Sequence, residues 1–132
     1  MTQQQIMVEI GSGELIDKIT ILQIKSERMS DAAKLANVRL ELSELSGARD
    51  ANLPASDELE ALSAQLKTIN EALWVIEDDI RACEAEKDFG GKFIALARAV
   101  YVTNDQRAAV KKQINLLTGA KIIEEKSYTE FD

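Results

Sequence analysis

The strongest hydrophobic pattern in the chain runs from Leu59 to Cys83. Leu59, Leu62, Leu66, Ile69, Leu73, Ile76, Ile80 and Cys83 follow one another at intervals of 3, 4, 3, 4, 3, 4 and 3 residues. This unbroken heptad seam predicts a helix over residues 57–88, about 48 Å long at 1.5 Å per residue. Ser56 is placed to cap it, with Asp57, Glu58 and Glu60 in the first turn, where the helix dipole favours negative charge.

Upstream the periods change. Ile6, Val8 and Ile10 alternate with Met7 and Glu9, which reads as a short strand. Gly11-Ser12-Gly13 ends it, and Ser12 is a natural cap for the helix that follows, with Glu14 and Asp17 in its first turn. Leu15, Ile16, Ile19, Ile21, Leu22 and Ile24 make that helix apolar on more than one side. The next stripe, Leu35, Val38, Leu42 and Leu45, is out of step with the first, so a break is expected near residue 30, where Ser30-Asp31 can cap a new helix. Residues 47–56 hold the only Pro and read as a loop. The simplest partner for the long helix is then the 14–46 region folded back against it.

Beyond Gly90-Gly91, Phe93, Ala97 and Val100 mark a helix over 91–102. Thr103 and Gln106 have capping-box spacing, which starts a last helix over 104–118 carrying Val110, Ile114 and Leu117. Gly119 is a left-handed stop. Lys121-Ile122-Ile123 can pair with residues 6–10 in a two-stranded terminal ribbon. The expected fold is a single all-α domain over residues 1–132, a helical bundle made of a long antiparallel helical hairpin plus two shorter helices.

Composition narrows the function. With 132 residues, 45% hydrophobic, the chain has material for one core. Lys+Arg 16 against Asp+Glu 23 gives a net charge of −7, which argues against nucleic acid and anionic membranes as partners. With no His, the Ser-His and Cys-His triads and most zinc and iron sites are removed. One Cys excludes an internal disulfide and suits a reducing compartment. No run reaches the length of a membrane span, residues 1–10 lack signal-peptide features, and a cytoplasmic location is the expectation. The residues imply no cofactor.

The charge is uneven. Residues 70–91 carry a net −5 and residues 92–121 a net +5. Neighbouring helices whose charges complement one another explain this, and an anion site on the basic segment is the functional alternative. The best candidate stripe on the long helix is Asn70, Trp74, Glu77, Asp78 and Arg81, and a second stripe is Arg98, Tyr101 and Asp105. A pocket between them would offer an indole, planar cations and carboxylates to an anionic small molecule; the structural alternative is a satisfied polar layer with Trp74 as a core anchor. Glu41-x-x-Glu44 and Glu14-x-x-Asp17 have a spacing that aims two carboxylates at one cation. All-helical nucleotide pyrophosphohydrolases place their Glu-x-x-Asp pair after the Glu-x-x-Glu pair, the reverse of the order here, so exposed helix charge is the better reading and no metal is expected. Residues 15–28 also have the flavour of the arginine-lined bundles of helical chorismate mutases, with Arg28, Lys34 and Arg39 downstream.

Several motifs together resemble a bacterial family of short proteins grouped only as a domain of unknown function. They are Ser12-Gly-Glu-Leu-Ile-Asp-Lys18, Leu73-Trp74 with Ile76-Glu-Asp78, Leu96-Ala-Arg98, Val100-Tyr101, Asn104-Asp105 with Arg107, Ile114-Asn115, and Glu124-Glu-Lys-Ser-Tyr128. The resemblance covers nearly the whole chain and carries no activity with it. It implies a setting near sugar-transfer or surface-polysaccharide genes. The leading expectation is a non-catalytic helical protein that self-associates or binds a protein partner. The alternative is a small-molecule-binding module, or a small enzyme, with Trp74, Glu77, Asp78, Arg81, Arg98, Tyr101 and Asp105 as its site. The polar tail from Glu124 to Tyr128 is expected to lie across the cleft near Arg81 and Arg98.

Overall fold

A computed structural model describes residues 4–131, and four helices make up an all-α bundle. They are α1 (Ser12–Arg28), α2 (Ala32–Asn52), α3 (Asp57–Ala85) and α4 (Gly91–Thr118). The break near residue 30 is present. Met29 and Asp31 are both extended, and the Asp31 carboxylate caps α2 by accepting from the Lys34 amide at 2.9 Å. Ser56 caps α3 through the Leu59 amide at 3.1 Å, and Gly119 ends α4 in the left-handed conformation, φ 67°.

The elements differ from the expectation in three places. The loop at 47–56 shrinks to 53–56, because α2 runs on through Gly47, whose missing side chain faces open space. A glycine inside a helix costs only about 1 kcal/mol, which the packing of Leu45 and Leu53 against the core offsets. The two helices expected over 91–118 are one. Nothing between Lys92 and Thr118 breaks a helix, and a capping box has no free amide to serve when the helix has already begun. The 28 residues of α4 match the 29 of α3, so the two pair along their length. The long hairpin is therefore α3–α4, and α1 and α2 are the two shorter helices. Within the chain Leu59 and Leu66 of the heptad seam pack with residues of both α4 and α1.

Among the described residues there is no strand, so the expected terminal ribbon does not form. The two segments do approach: Glu9 lies 3.8 Å from Lys121. Two short strands with no face to bury are marginal by themselves. Ile6, Met7 and Val8 stay 88%, 85% and 73% exposed.

Helix α1 is the centre of the molecule, touching α2, α3 and α4. Leu15, Ile16 and Ile19 pack with Leu59 and Leu66 of α3 and with Val110 and Ile114 of α4. This is what the multi-sided apolar pattern of residues 15–24 requires. Helix α1 runs against α4, so that Ser12 meets Asn115, Glu14 meets Lys111 and Asp17 meets Arg107.

Candidate functional site

The approach of α1 to α4 begins at two glycines. A Cβ on Gly13 would collide with the carbonyl oxygen of Lys111, and one on Gly11 would sit 2.6 Å from the carbonyl oxygen of Ile122. Ser12 is not the cap of α1. Gly11 holds that position, and the free amide of Gly13 donates instead to Asn115 Oδ1 at 2.7 Å. A side chain from α4 thus caps α1 across the interface. The Ser12 and Thr118 hydroxyls share a short hydrogen bond beside it.

One turn further along lies the most polar buried point of the fold. Asp17 is 1% exposed. Arg107 Nε donates to its Oδ1 at 2.9 Å, and Arg107 Nη2 donates to its Oδ2, so the guanidinium grips the carboxylate with one edge. Asn70 Nδ2 donates to the same Oδ1 at 2.9 Å and to Thr20 Oγ1 at 2.9 Å. Lys111 Nζ stands 3.8 Å from Asp17 Oδ2, 2.8 Å from Glu14 and 3.3 Å from Glu124. No buried side-chain nitrogen or oxygen among the described residues lacks a partner.

The charges follow this geometry. The hydrogen bond to Asp17 raises the pKa of Arg107 further above its ordinary value, against the cost of burial. Burial alone would lower the pKa of Lys111, but its bond to Glu14 and the charges of Asp17 and Glu14 outweigh that and raise it. Hydrogen bonds from Lys126 and Lys111 hold the Glu124 carboxyl below its ordinary value.

Three cavities border this cluster: a small one of about 220 Å³ between residues 9–14, α4 and the tail, with Glu124 in its lining, and two larger ones that share Arg107. One, of about 520 Å³, lies between α4 and the C-terminal tail. Its walls are Tyr101, Asn104, Asp105, Arg107, Ala108 and Lys111 from the helix, and Lys126, Tyr128, Thr129 and Phe131 from the tail. The other, of about 470 Å³, lies between α3, α4 and α1, with Ile21, Ile24, Leu73 and Val100 as its apolar lining. Asn104 and Arg107 line both. The side chain of Arg107 is 29% exposed. Its two bonds to Asp17 use two of five N–H groups, and among the described residues no acceptor takes the other three.

The candidate residues divide between the two larger cavities. Trp74, Glu77, Asp78 and Arg81 come together along the second, with Asn70. There Arg81 pairs with Glu77 at 3.0 Å. Tyr101 and Asp105 line the first, and Arg98 is exposed and lines neither. The division follows from α4 being a single helix. Val100, Asn104 and Arg107 face α3, and Tyr101 and Asp105 lie about 100° further round. The tail does not cross the cleft near Arg81 and Arg98. It lies along Tyr101 to Lys112, where Phe131 meets Tyr101 edge to face at 5.1 Å and Glu125 reaches Lys112 at 3.5 Å.

The basic segment 92–121 answers α1 and the tail. Arg107, Lys111 and Lys112 pair with Asp17, Glu14, Glu124 and Glu125, and none of these partners belongs to the acidic run of α3. Arg28 lies 3.7 Å from Glu71, and Lys34 and Arg39 are exposed on α2. Among the described residues no three carboxylates or thiols converge as a metal site.

The profile of a family of unknown function, DUF6165, matches residues 6–131. The chain belongs to that family. The match takes in the Asp17 cluster, the cavities and the tail. Neither a curated protein nor a solved structure matches the chain. No helix among the described residues is long and apolar enough to cross a membrane.

Proposed function

We propose that this protein is a binding module for an anionic small molecule, held in the cavity between α4 and the tail. The observation that carries the reading is the state of Arg107. A buried carboxylate fixes one edge of its guanidinium and so orients it in advance, while its other N–H groups take no acceptor among the described residues and the residue lines the cavity. The cavity volume of about 520 Å³ falls within the range of small-molecule sites. Tyr101, Tyr128 and Phe131 supply apolar walls, and Arg107, Lys111 and Lys126 supply positive charge. A ligand with one carboxylate or phosphate head and a ring or chain of modest size fits this lining.

The test is a thermal-shift panel of sugar phosphates, nucleotide sugars, nucleotides and dicarboxylates, in keeping with the sugar-transfer setting that the family resemblance implies. A ligand at 100 times its Kd stabilises by about 2.7 kcal/mol, a shift of a few degrees. The Arg107→Lys variant keeps the charge and loses the fork, so the shift should vanish in it. An unchanged melting temperature across the whole panel contradicts the reading.

A second reading, a non-catalytic helical protein that self-associates or docks a protein partner, rests on the free end of the α3–α4 hairpin. Phe89 and Ile94 are 52% and 55% exposed there, with Val75 and Val102 also uncovered. It predicts a melting temperature that rises with protein concentration. The compartment we propose is the cytoplasm, on the single free thiol of Cys83.

A further inference from the structure

The tail is held over the cavity by very little. From Ala120 to Phe131 it has no regular structure, and nearly all of its residues are exposed. Its polar anchor is Glu124, whose carboxylate accepts from Lys111 at 3.3 Å and from Lys126. Lys112 with Glu125, Lys121 with Glu9 and Tyr101 with Phe131 add one contact each, and the Ile122 carbonyl passes close to Gly11. Exposed ion pairs of this kind are weak, so the tail belongs to the least stable part of the fold.

Glu124 stands where positive charge is concentrated. Lys111 is only 13% exposed and lines the cavity with Lys126 and Arg107, and Glu124 reaches it from the adjoining smaller cavity of about 220 Å³, which shares Lys111 and Lys126. The charge of Glu124 also acts on Arg107. Asp17 and Glu14 belong to α1 and are part of the packed core or its edge. Glu124 is the one carboxylate on Lys111 carried by exposed chain outside the helices.

We infer that Glu124 occupies Lys111 in the place of the ligand's anionic head, and that a carboxylate or phosphate displaces its carboxylate from Lys111 while Lys126, Tyr128 and Phe131 stay as walls of the cavity. This rests on the binding reading above. The tethered carboxylate competes at an effective concentration on the order of millimolar. A free anion wins by adding what Glu124 lacks, namely a hydrogen bond to the open edge of Arg107 and, for a larger ligand, contact with the rings of Tyr101 and its neighbours. The exchange needs no change in α1–α4, since the core charges keep their partners.

The test is an NMR titration of the full chain with inorganic phosphate and, separately, succinate, at constant ionic strength. The variants are Glu124→Gln and, as a control for net charge, Glu130→Gln, an exposed tail residue. In the native chain the amide signals of residues 122–125 should move toward random-coil positions as those around Arg107 and Lys111 shift, while those of residues 128–131 do not. Glu124→Gln should bind the anion about two- to fivefold tighter, the worth of one exposed pair, and Glu130→Gln should bind as the native chain does. If anion binding shifts Arg107 and Lys111 while residues 122–125 stay docked, or Glu124→Gln binds no tighter than Glu130→Gln, Glu124 is a fixed contact and the exchange is overturned, with the binding reading intact. If neither anion shifts any signal in the native chain or in Glu124→Gln, the binding reading falls and the exchange with it.

Discussion

At one end of the α3–α4 hairpin, Leu59, Leu66, Val110 and Ile114 are buried against α1. At the other end the same two helices leave Leu73, Ile76, Ile80, Phe93 and Leu96 only half-buried. The hydrophobic pattern of α3 is the same at both ends. The difference is the third layer: α1 covers the first end and none of the described residues forms such a layer over the second, where among them Cys83 alone is buried. A heptad seam therefore specifies that a helix has a partner, and says little about how many. The polar cluster sits where the two regimes meet. Asp17, Asn70 and Arg107 lie at the inner margin of the packed end, and the cavity between α3, α4 and α1 opens on the side where packing stops.

The largest effect separating the two ends should come from Asp17→Ala. It leaves the Arg107 charge and the Asn70 amide without their central acceptor, and removing one partner of a buried pair costs about 3–5 kcal/mol. Urea denaturation should show this loss in full, or an unfolded protein. A paired comparison comes next. Leu66→Ala empties a site that is 0% exposed and should cost about 2–5 kcal/mol, whereas Ile80→Ala in the half-covered end should cost about 1 kcal/mol. Equal losses at the two positions would mean that the free end is covered in solution. Gly13→Ala should cost about 1–3 kcal/mol, because the new methyl meets the Lys111 carbonyl and pushes α1 off α4.

The smallest effect is on the tail, and it is pH-dependent. The Glu124 carboxyl is held below its ordinary value by Lys126 and Lys111, so its contribution to docking is complete above about pH 4.5 and fades as pH falls through the lowered value. Arg107 and Lys111 are held above theirs, so their contributions stay whole through the neutral range and fade only at strongly alkaline pH. Acidification below about pH 4.5 should therefore loosen the tail amides, followed by NMR, before the helices melt.

Much of the architecture was legible in the pattern of the sequence. Ser56 and Gly119 marked their helix ends, and the change of phase after Met29 marked the break between α1 and α2. Thr103 misled, because cap residues are also tolerated inside a helix and only the absence of Gly and Pro from 92 to 118 shows continuity. The candidate site was legible in part. Trp74, Glu77, Asp78 and Arg81 share a helical face and do share a cavity. Asp17 and Arg107 were missed as a pair. Ninety residues separate them, and Asp17 was read as a first-turn charge favoured by the dipole. The signal was there: an acid between Ile16 and Ile19, on a helix apolar on more than one side, has no solvent face of its own, since Lys18 takes the exposed position. Such a residue must be paired by another element, and a cation on α4 was the natural candidate.

The most direct measurement is the arginine side-chain NMR spectrum of the full chain, with and without inorganic phosphate. If Asp17 fixes one edge of Arg107 and leaves the other free, its Nε–H signal is protected from exchange, unlike that of exposed Arg98, and vanishes into the fast-exchanging set in Asp17→Asn. Phosphate should then move the Nη signals while the Nε–H stays in place. An Arg107 Nε–H that exchanges like that of Arg98, or Nη signals indifferent to phosphate, contradicts a pre-oriented anion site.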